Sequence, residues 1–331
     1  MTNKEKEILQ QLRKDVRSKS QKCYNTSCKN LAIRSHIQQV EGAIRKIASV
    51  DRKIVQVEDS DYFTSSSWYF KEKGIKQKGD VLTFWGFCNK CDTELFKEIE
   101  CNSIDYSNYR NQVLFSYRGF LSEHYKQEYN LKWYVKILQS SELTEECKKR
   151  FNNKYIQYQL IVKSGKFTKS LLESDLKRES KNFQFINFQL PRIDICTSTV
   201  YSLPTAIILN DTLLQNLEIR KTFPPISSSI FINLIPTNDA LEVILGCHAD
   251  KNIGGKLDLD KVKNYNQKAK IKMISDILIR HIETWFVSKS LYNIWKSRKM
   301  DHEIIKQMEK YKPAHMKSKH VKFNIFHDII N

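Results

Sequence analysis

The chain has 331 residues, of which 40% are hydrophobic and 11% aromatic, with only 9 Gly and 6 Pro. That length buries a sizeable core and predicts two or three domains, while the composition excludes general disorder, a low-complexity linker and, for want of any run of eighteen apolar residues, a membrane-spanning helix. The formal charge of +18 points to a polyanion partner, DNA or RNA first, although a lysine-rich solvated surface carries the same surplus.

Residues 4–20 predict a helix, because Ile8, Leu9, Leu12 and Val16 recur at three- and four-residue steps. Its other face carries Lys4, Lys6, Arg13, Lys14, Arg17 and Lys19, which is either a phosphate-binding arm or a solvated surface. The segment has no apolar core and does not read as a signal peptide, so a cytoplasmic chain with reduced cysteines is expected. Next comes Cys23-x4-Cys28, with Asn25, Thr26 and Ser27 as turn formers between the thiols. Residues 31–34 read as a short strand. Ser35 to Gln38 then reads S-x-x-Q, a capping box that predicts a helix through Ile37, Val40, Ile44 and Ile47 to about Ala48. Ser35 would be its N-cap, and His36 would lie in the first turn, where the helix N-terminus favours a neutral, proton-accepting imidazole.

Residues 50–87 read as an extended, turn-rich insert. Ile54 to Val57 alternates as a strand. Tyr62, Phe63, Trp68, Tyr69 and Phe70 surround Ser65, Ser66 and Ser67, and Lys71, Lys73, Lys76 and Lys78 follow. These are either core aromatics beside a basic loop or a surface that stacks bases and holds phosphate. A strand over Val81 to Phe87 delivers Cys88-x2-Cys91, and DTELFKEIE continues as a helix capped by Asp92 or Thr93. A long aromatic helix is predicted over about 106–139, and a second within 142–180 with a break near Ser164-Gly165.

From Asn182 the pattern changes to strands at 183–190, 195–203, 205–210, 229–235 and 240–247, a small antiparallel sheet. Cys247-His248-Ala249-Asp250 ends the last strand, but neighbours on a strand point to opposite faces, so this is a nucleophile pair by adjacency alone. Helices are expected over 261–289 and 300–311, then a basic tail holding His315 and His320. No Walker loop and no strand-borne G-x-G-x-x-G occurs, which argues against nucleotide hydrolysis and a dinucleotide cofactor. The fold class is therefore α+β, divided into a zinc-knuckle module over 1–104, a helical segment over 105–181, and an α+β C-terminal domain with a basic tail over 182–331.

Cys23, Cys28, Cys88 and Cys91 form two pairs separated by a folded segment, the spacing of a structural zinc site. Four thiolates close a Zn²⁺ tetrahedron, and a closed site cannot activate water. A set with His36 in place of one cysteine is the alternative. Cys101, Cys147, Cys196 and Cys247 are scattered and read as small buried residues.

The order Cys23, Cys28, Ser35-His36, Cys88, Cys91-Asp92, then a helix, resembles the HNH endonucleases of the His-Me finger group over about residues 20–101. The resemblance implies a treble-clef-like zinc module and metal-dependent phosphodiester hydrolysis. His36 would be the general base, Asp92 would hold Mg²⁺ or another divalent ion, and Thr83 stands near the family's Asn position. Lys29, Arg34 and Arg45 would hold the nucleic-acid backbone. Ser35 departs from the pattern, since the family has a metal-binding Asp or His there and a hydroxyl is a poor replacement. The spacer from His36 to Cys88 is also long for the family. By analogy such a chain resembles mobile-element or phage-defence effectors, with a C-terminal domain that engages a protein partner or orients substrate. The competing expectations are a non-catalytic zinc finger that binds nucleic acid or protein, and a structural or regulatory subunit whose charge is incidental.

Overall fold

A computed structural model describes residues 1–17, 21–59, 68–75, 83–101, 103–202, 229–250, 257–312 and 320–327. Mixed helices and antiparallel sheets give the expected α+β class. Seven strands form the main sheet: β2 (Lys53–Asp59), β3 (Trp68–Gly74), β5 (Phe183–Pro191), β6 (Ile195–Ser202), β7 (Ser229–Pro236), β8 (Ala240–His248) and β9 (Phe286–Val287). Their spatial order is β3-β2-β9-β6-β7-β8-β5. The sheet thus extends beyond the C-terminal strands: the two-residue β9 pairs with β2 on one side and β6 on the other, which brings in the β2–β3 hairpin. The expected strand at 205–210 lies outside the described residues.

Every residue of β7 is buried. The run SIFINLIP is almost continuously apolar because both faces of this central strand are covered. Ile230, Ile232 and Leu234 meet the C-terminal helices in one core. Phe231 and Ile235 face the opposite way, into a second core with Val113, Leu114, Tyr117 and Leu121.

Those four residues belong to α4 (Tyr109–Gln139), which is buried almost all round from Asn111 to Ser122. A polar seam seals it to the sheet: the Asn233 amide donates to Ser116 Oγ, and Ser198 donates to Asn233 Oδ1. Gly119 makes the approach possible, because a Cβ there would lie 2.8 Å from the Ser198 and Thr199 backbone. α1 (Asn3–Arg17) packs Leu9 and Val16 on Trp133, Tyr134 and Phe151 in a third core.

α5 (Glu145–Arg178) runs unbroken through Ser164-Gly165, where the sequence suggested an interruption. Gly165 serves close packing instead, since a Cβ there would press into the His124 ring of α4. The helix expected over 261–289 is divided. α6 (Leu259–Lys263) and α7 (Gln267–Arg280) are followed by β9 and α8 (Lys289–Ser297). Asn266 starts α7 by accepting the Ala269 N–H, and Trp285 leaves the helix so that its carbonyl accepts the Val57 N–H at 3.0 Å. Sheet pairing here overrides a helical apolar spacing. α9 (Met300–Tyr311) follows as expected.

Candidate metal centre and its neighbouring charge cluster

Three short elements build the site. β1 (Arg34–His36) and β4 (Thr83–Trp85) pair antiparallel, with Arg34 opposite Trp85, Ser35 opposite Phe84 and His36 opposite Thr83. α3 (Asn89–Phe96) begins directly after Cys88, which occupies its N-cap position. The first knuckle is closed by Cys23 N–H to Asn30 O at 3.1 Å and Cys28 N–H to Asn25 O at 2.9 Å. It is fastened to the second knuckle by Tyr24 N–H to Gly86 O at 2.8 Å and Ile33 N–H to Phe87 O at 2.7 Å.

This arrangement brings Cys23, Cys28, Cys88 and Cys91 together, with all four sulfurs within 4.8 Å of one another. Cys28 Sγ and Cys88 Sγ are 3.7 Å apart. That is far beyond a disulfide bond and close to the ~3.8 Å separating two sulfurs on one tetrahedral Zn²⁺ with Zn–S bonds of about 2.3 Å. The surroundings suit thiolates. Cys23 Sγ accepts the Cys88 N–H at 3.3 Å, and Cys91 Sγ accepts from Asn25 Nδ2 at 3.3 Å. The Cys91 N–H draws the Cys88 thiol down to about 6, whereas burial pushes Cys91 up to about 12 and Cys23 in the same direction. One thiolate is therefore ready beforehand, and the others ionise against a shared cation. The tetrad fits a metal ion such as zinc. His36 is not part of it.

A second group of charges adjoins the tetrad. Ser35 lies within β1, only 1% exposed, and its Oγ accepts the Phe87 N–H at 3.1 Å. It is not the N-cap that the S-x-x-Q pattern suggested, because the segment is claimed by the β4 pairing before any helix starts. A π-helical turn at Val40–Ile44 and α2 (Arg45–Ile47) come later. His36 consequently ends a strand, away from any helix N-terminus. Burial is what keeps its imidazole neutral, helped by the positive charge of Arg118, while Asp92 and Glu100 pull the other way.

Asp92 is the fourth residue of α3 rather than its cap, and Thr93 follows it inside the helix. Asp92 Oδ2 lies 3.9 Å from Arg118 Nη2, and Glu100 Oε1 lies 2.6 Å from the same nitrogen. Arg118 comes from α4 and is 1% exposed, with its guanidinium carbon 3.9 Å from the centre of the Phe96 ring. Burial raises the Asp92 carboxyl, against Arg118 and the Ser35 hydroxyl, which lower it. Asp92 Oδ1 and Arg118 Nε are buried without a hydrogen-bond partner.

Sequence reading missed Arg118 and Glu100. The available signal was a single arginine inside QVLFSYRGFL, where only a buried pair explains a charge. Thr83 faces His36 across the strand pair. Lys29, Arg34 and Arg45 are exposed on the knuckle, β1 and α2, with Arg34 set over Trp85.

Elsewhere, Cys147, Cys196 and Cys247 are buried as expected, but Cys101 is exposed, its thiol bonded to the carbonyls of Glu98 and Ser103. Cys247 points into the sheet core, where burial raises its thiol, and His248 lies on the other face against Phe183. That placement suits packing, not nucleophilic attack. Trp68 and Phe70 of β3 are core residues, Phe70 packing on Trp285, Tyr292 and Trp295. Lys71 and Lys73 pair with Glu58. Tyr62, Phe63, Ser65, Ser66, Ser67, Lys76, Lys78 and His315 lie outside the described residues.

Among the described residues, no helix is long and apolar enough to cross a membrane. A scan against protein-family models, a search of curated proteins and a search of solved structures each return no match.

Proposed function

We propose that the protein is a nuclease that hydrolyses phosphodiester bonds, with His36 as general base on a zinc-stabilised scaffold. One observation carries the reading. His36 and Thr83 face each other on the β1–β4 pair, which leads straight into the helix that bears Cys91 and Asp92. The order Cys23, Cys28, Ser35-His36, Cys88, Cys91-Asp92, then a helix, is the one on which the resemblance to His-Me finger endonucleases rests. The tetrad supplies no chemistry, since four thiolates leave zinc no open position.

In this mechanism His36, neutral by burial, takes a proton from water as the water oxygen attacks phosphorus. The new O–P bond forms, the bond to the leaving oxygen breaks, and that oxygen takes up a proton from solvent. Asp92 would hold a cation able to balance the charge that develops on the phosphoryl oxygens. The resemblance would make it Mg²⁺, held by Asp92, which when bound supplies Lewis-acid stabilisation. Lys29, Arg34 and Arg45 give the exposed positive charge that holds a nucleic-acid backbone.

A second reading has its own support. Asp92 and Glu100 are already engaged by Arg118, and Ser35 is used by Phe87, which suits a non-catalytic zinc finger that binds nucleic acid or protein. His36→Ala separates the two. Under the nuclease reading it abolishes cleavage of single-stranded and duplex oligonucleotides while metal content and the thermal midpoint stay unchanged. Loss of bound metal would make His36 a ligand, and undiminished cleavage would remove it as the base.

A further inference from the structure

Arg118 is an unusual residue to find at the centre of the molecule. Its side chain is 1% exposed, on the most deeply buried stretch of α4. A guanidinium carries five N–H donors and never loses its charge in a protein, so burying one demands acceptors. It makes one short ion pair, to Glu100 at 2.6 Å, and one long one, to Asp92 at 3.9 Å, and its Nε–H has no acceptor. On the other side of the pair, Asp92 Oδ1 is buried and unpartnered too. The guanidinium carbon lies over the Phe96 ring, 3.9 Å from its centre, so the head cannot swing to satisfy these groups without losing that contact. The result is a fixed, under-used positive charge directly beside the carboxylate on which the resemblance would set a divalent ion.

The same region is poorly arranged for such an ion. Among the described residues, the cysteine tetrad is the group of three or more His, Cys, Asp or Glu side chains whose ligand atoms converge within 4.8 Å; His36, Asp92 and Glu100 form no second one. The position that should hold another hard ligand is Ser35, and its hydroxyl is bonded to the Phe87 N–H. A divalent ion at Asp92 would also stand against the guanidinium, with two like charges sharing one carboxylate.

We infer that the guanidinium of Arg118 takes the place of the divalent cation, so that this site binds and polarises a phosphodiester through Arg118 and works without Mg²⁺. This rests on the nuclease reading given above. Glu100 is the more exposed member of the pair, 30% against 1% for Arg118, so a phosphoryl oxygen would reach Nη2 by displacing the Glu100 carboxylate. Arginine suits the role because its planar donors match the tetrahedral oxygens two at a time. The bond changes are those already described: water loses a proton to His36, O–P forms, and the P–O bond to the leaving group breaks. Only the source of positive charge differs, and no oxidant or added co-reactant enters.

The test has two arms on the full, metal-loaded chain. In the first, Mn²⁺ is the probe, read by paramagnetic broadening of the His36 ring signals. The native chain should show no site-specific broadening up to about 1 mM, the weak end of protein sites for divalent ions. Broadening at lower concentrations that Asp92→Asn abolishes would overturn the inference. In the second, cleavage of an oligonucleotide is compared with and without Mg²⁺ while the tetrad's metal content is monitored. Equal cleavage supports the assignment, and an absolute need for Mg²⁺ overturns it. Arg118→Lys keeps a charge but loses the planar donors. It should cut cleavage about 10²–10³-fold with metal content and fold retained, a loss typical of removing one transition-state donor. Full activity in that variant would also overturn the inference. If Arg118→Lys does not fold, the Mn²⁺ arm still decides on the native chain. Absence of any His36-dependent cleavage under either condition sinks the nuclease reading itself, and the Mn²⁺ arm then decides separately whether a divalent ion or the guanidinium occupies the cation position.

Discussion

Removing the metal from the cysteine tetrad should lower the thermal midpoint by an amount the structure sets. A metal ion held by the tetrad would join Cys28 to Cys88, which are 60 residues apart in sequence. Cross-linking a loop of that length restricts the unfolded chain by about 4 kcal/mol. Unfolding a chain of 331 residues has an entropy of about 0.7 kcal/mol/K if it unfolds as a unit, so loop closure alone corresponds to about 6 °C. Burial disfavours the thiolates of Cys23 and Cys91, so in the stripped chain these groups stay protonated and charge repulsion adds little. The loss should therefore be about that large. The assay is calorimetric melting of the loaded chain, the chelated chain and the chelated chain given back Zn²⁺, with metal content measured on each sample. Cys28→Ser should behave as the chelated chain does, and Cys101→Ser, at an exposed thiol outside the tetrad, should melt like the native chain. Coincident melts for loaded and stripped chains would refute the reasoning, since a cross-link between the two knuckles cannot be thermodynamically silent.

Three further outcomes follow from other contacts. Asn25→Leu removes the amide that donates to Cys91 Sγ, and metal affinity measured by chelator competition should fall about 10-fold, the usual cost of losing such a support. His36 is held below its ordinary value of 6.5 by burial, so as pH falls through that value the unfolded chain takes up the proton first. The His36 contribution to stability is thus complete above about pH 6.5 and is lost below it; in the nuclease reading the acid limb of the cleavage profile lies below about pH 6.5 as well. An NMR titration of His36 with a midpoint above 6.5 would contradict both statements. Gly165→Ala drives a methyl into the His124 ring and should destabilise by about 1–3 kcal/mol, with a smaller cost in a His124→Ala background.

The sequence was legible where the signal was chemical and local. Two cysteine pairs of this spacing predict convergence on one point whatever lies between them, and the four cysteines do converge into a group that could hold a metal. Long periodic helices such as α4 and α9 were legible for a similar reason: many residues repeat one message. The errors arose where tertiary pairing outweighed a local pattern. Ser35-x-x-Gln38 has the form of a capping box, yet β4 claims Ser35 for a strand. Trp285, Phe286 and Val287 continue a helical apolar spacing, yet the gap between β2 and β6 claims two of them as β9. Ser164-Gly165 looks like a helix break, but the glycine is there to admit His124. Arg118 and Glu100 could not be joined to Asp92 from sequence, because their meeting depends on how α4 lies across α3, and no short spacing records that.

The tetrad and the charge cluster share elements in a way that gives the metal influence without contact. Cys88 and Cys91 fix the first turn of α3, whose Asp92 N–H donates to the Cys88 carbonyl at 2.9 Å. Phe87, next to Cys88, is also the residue that holds Ser35, and thereby the end of β1 bearing His36. Both Asp92 and His36 are thus positioned through backbone next to the cysteine tetrad, which a bound metal would organise. Arg118 is not. It rides on α4, which is secured by the sheet through Ser116, Asn233 and the close crossing at Gly119. The cluster is therefore assembled from two supports: the cysteine knuckles, which carry His36 and Asp92, and the sheet, which carries the Arg118 guanidinium through α4. Stripping the metal loosens the first while leaving the second in place. Arg118 would then stay buried with Asp92 displaced, an arrangement that costs more than either part alone because a desolvated charge loses a partner. An ion in the tetrad would for this reason be energetically coupled to the charge cluster, although none of the four cysteines belongs to the cluster.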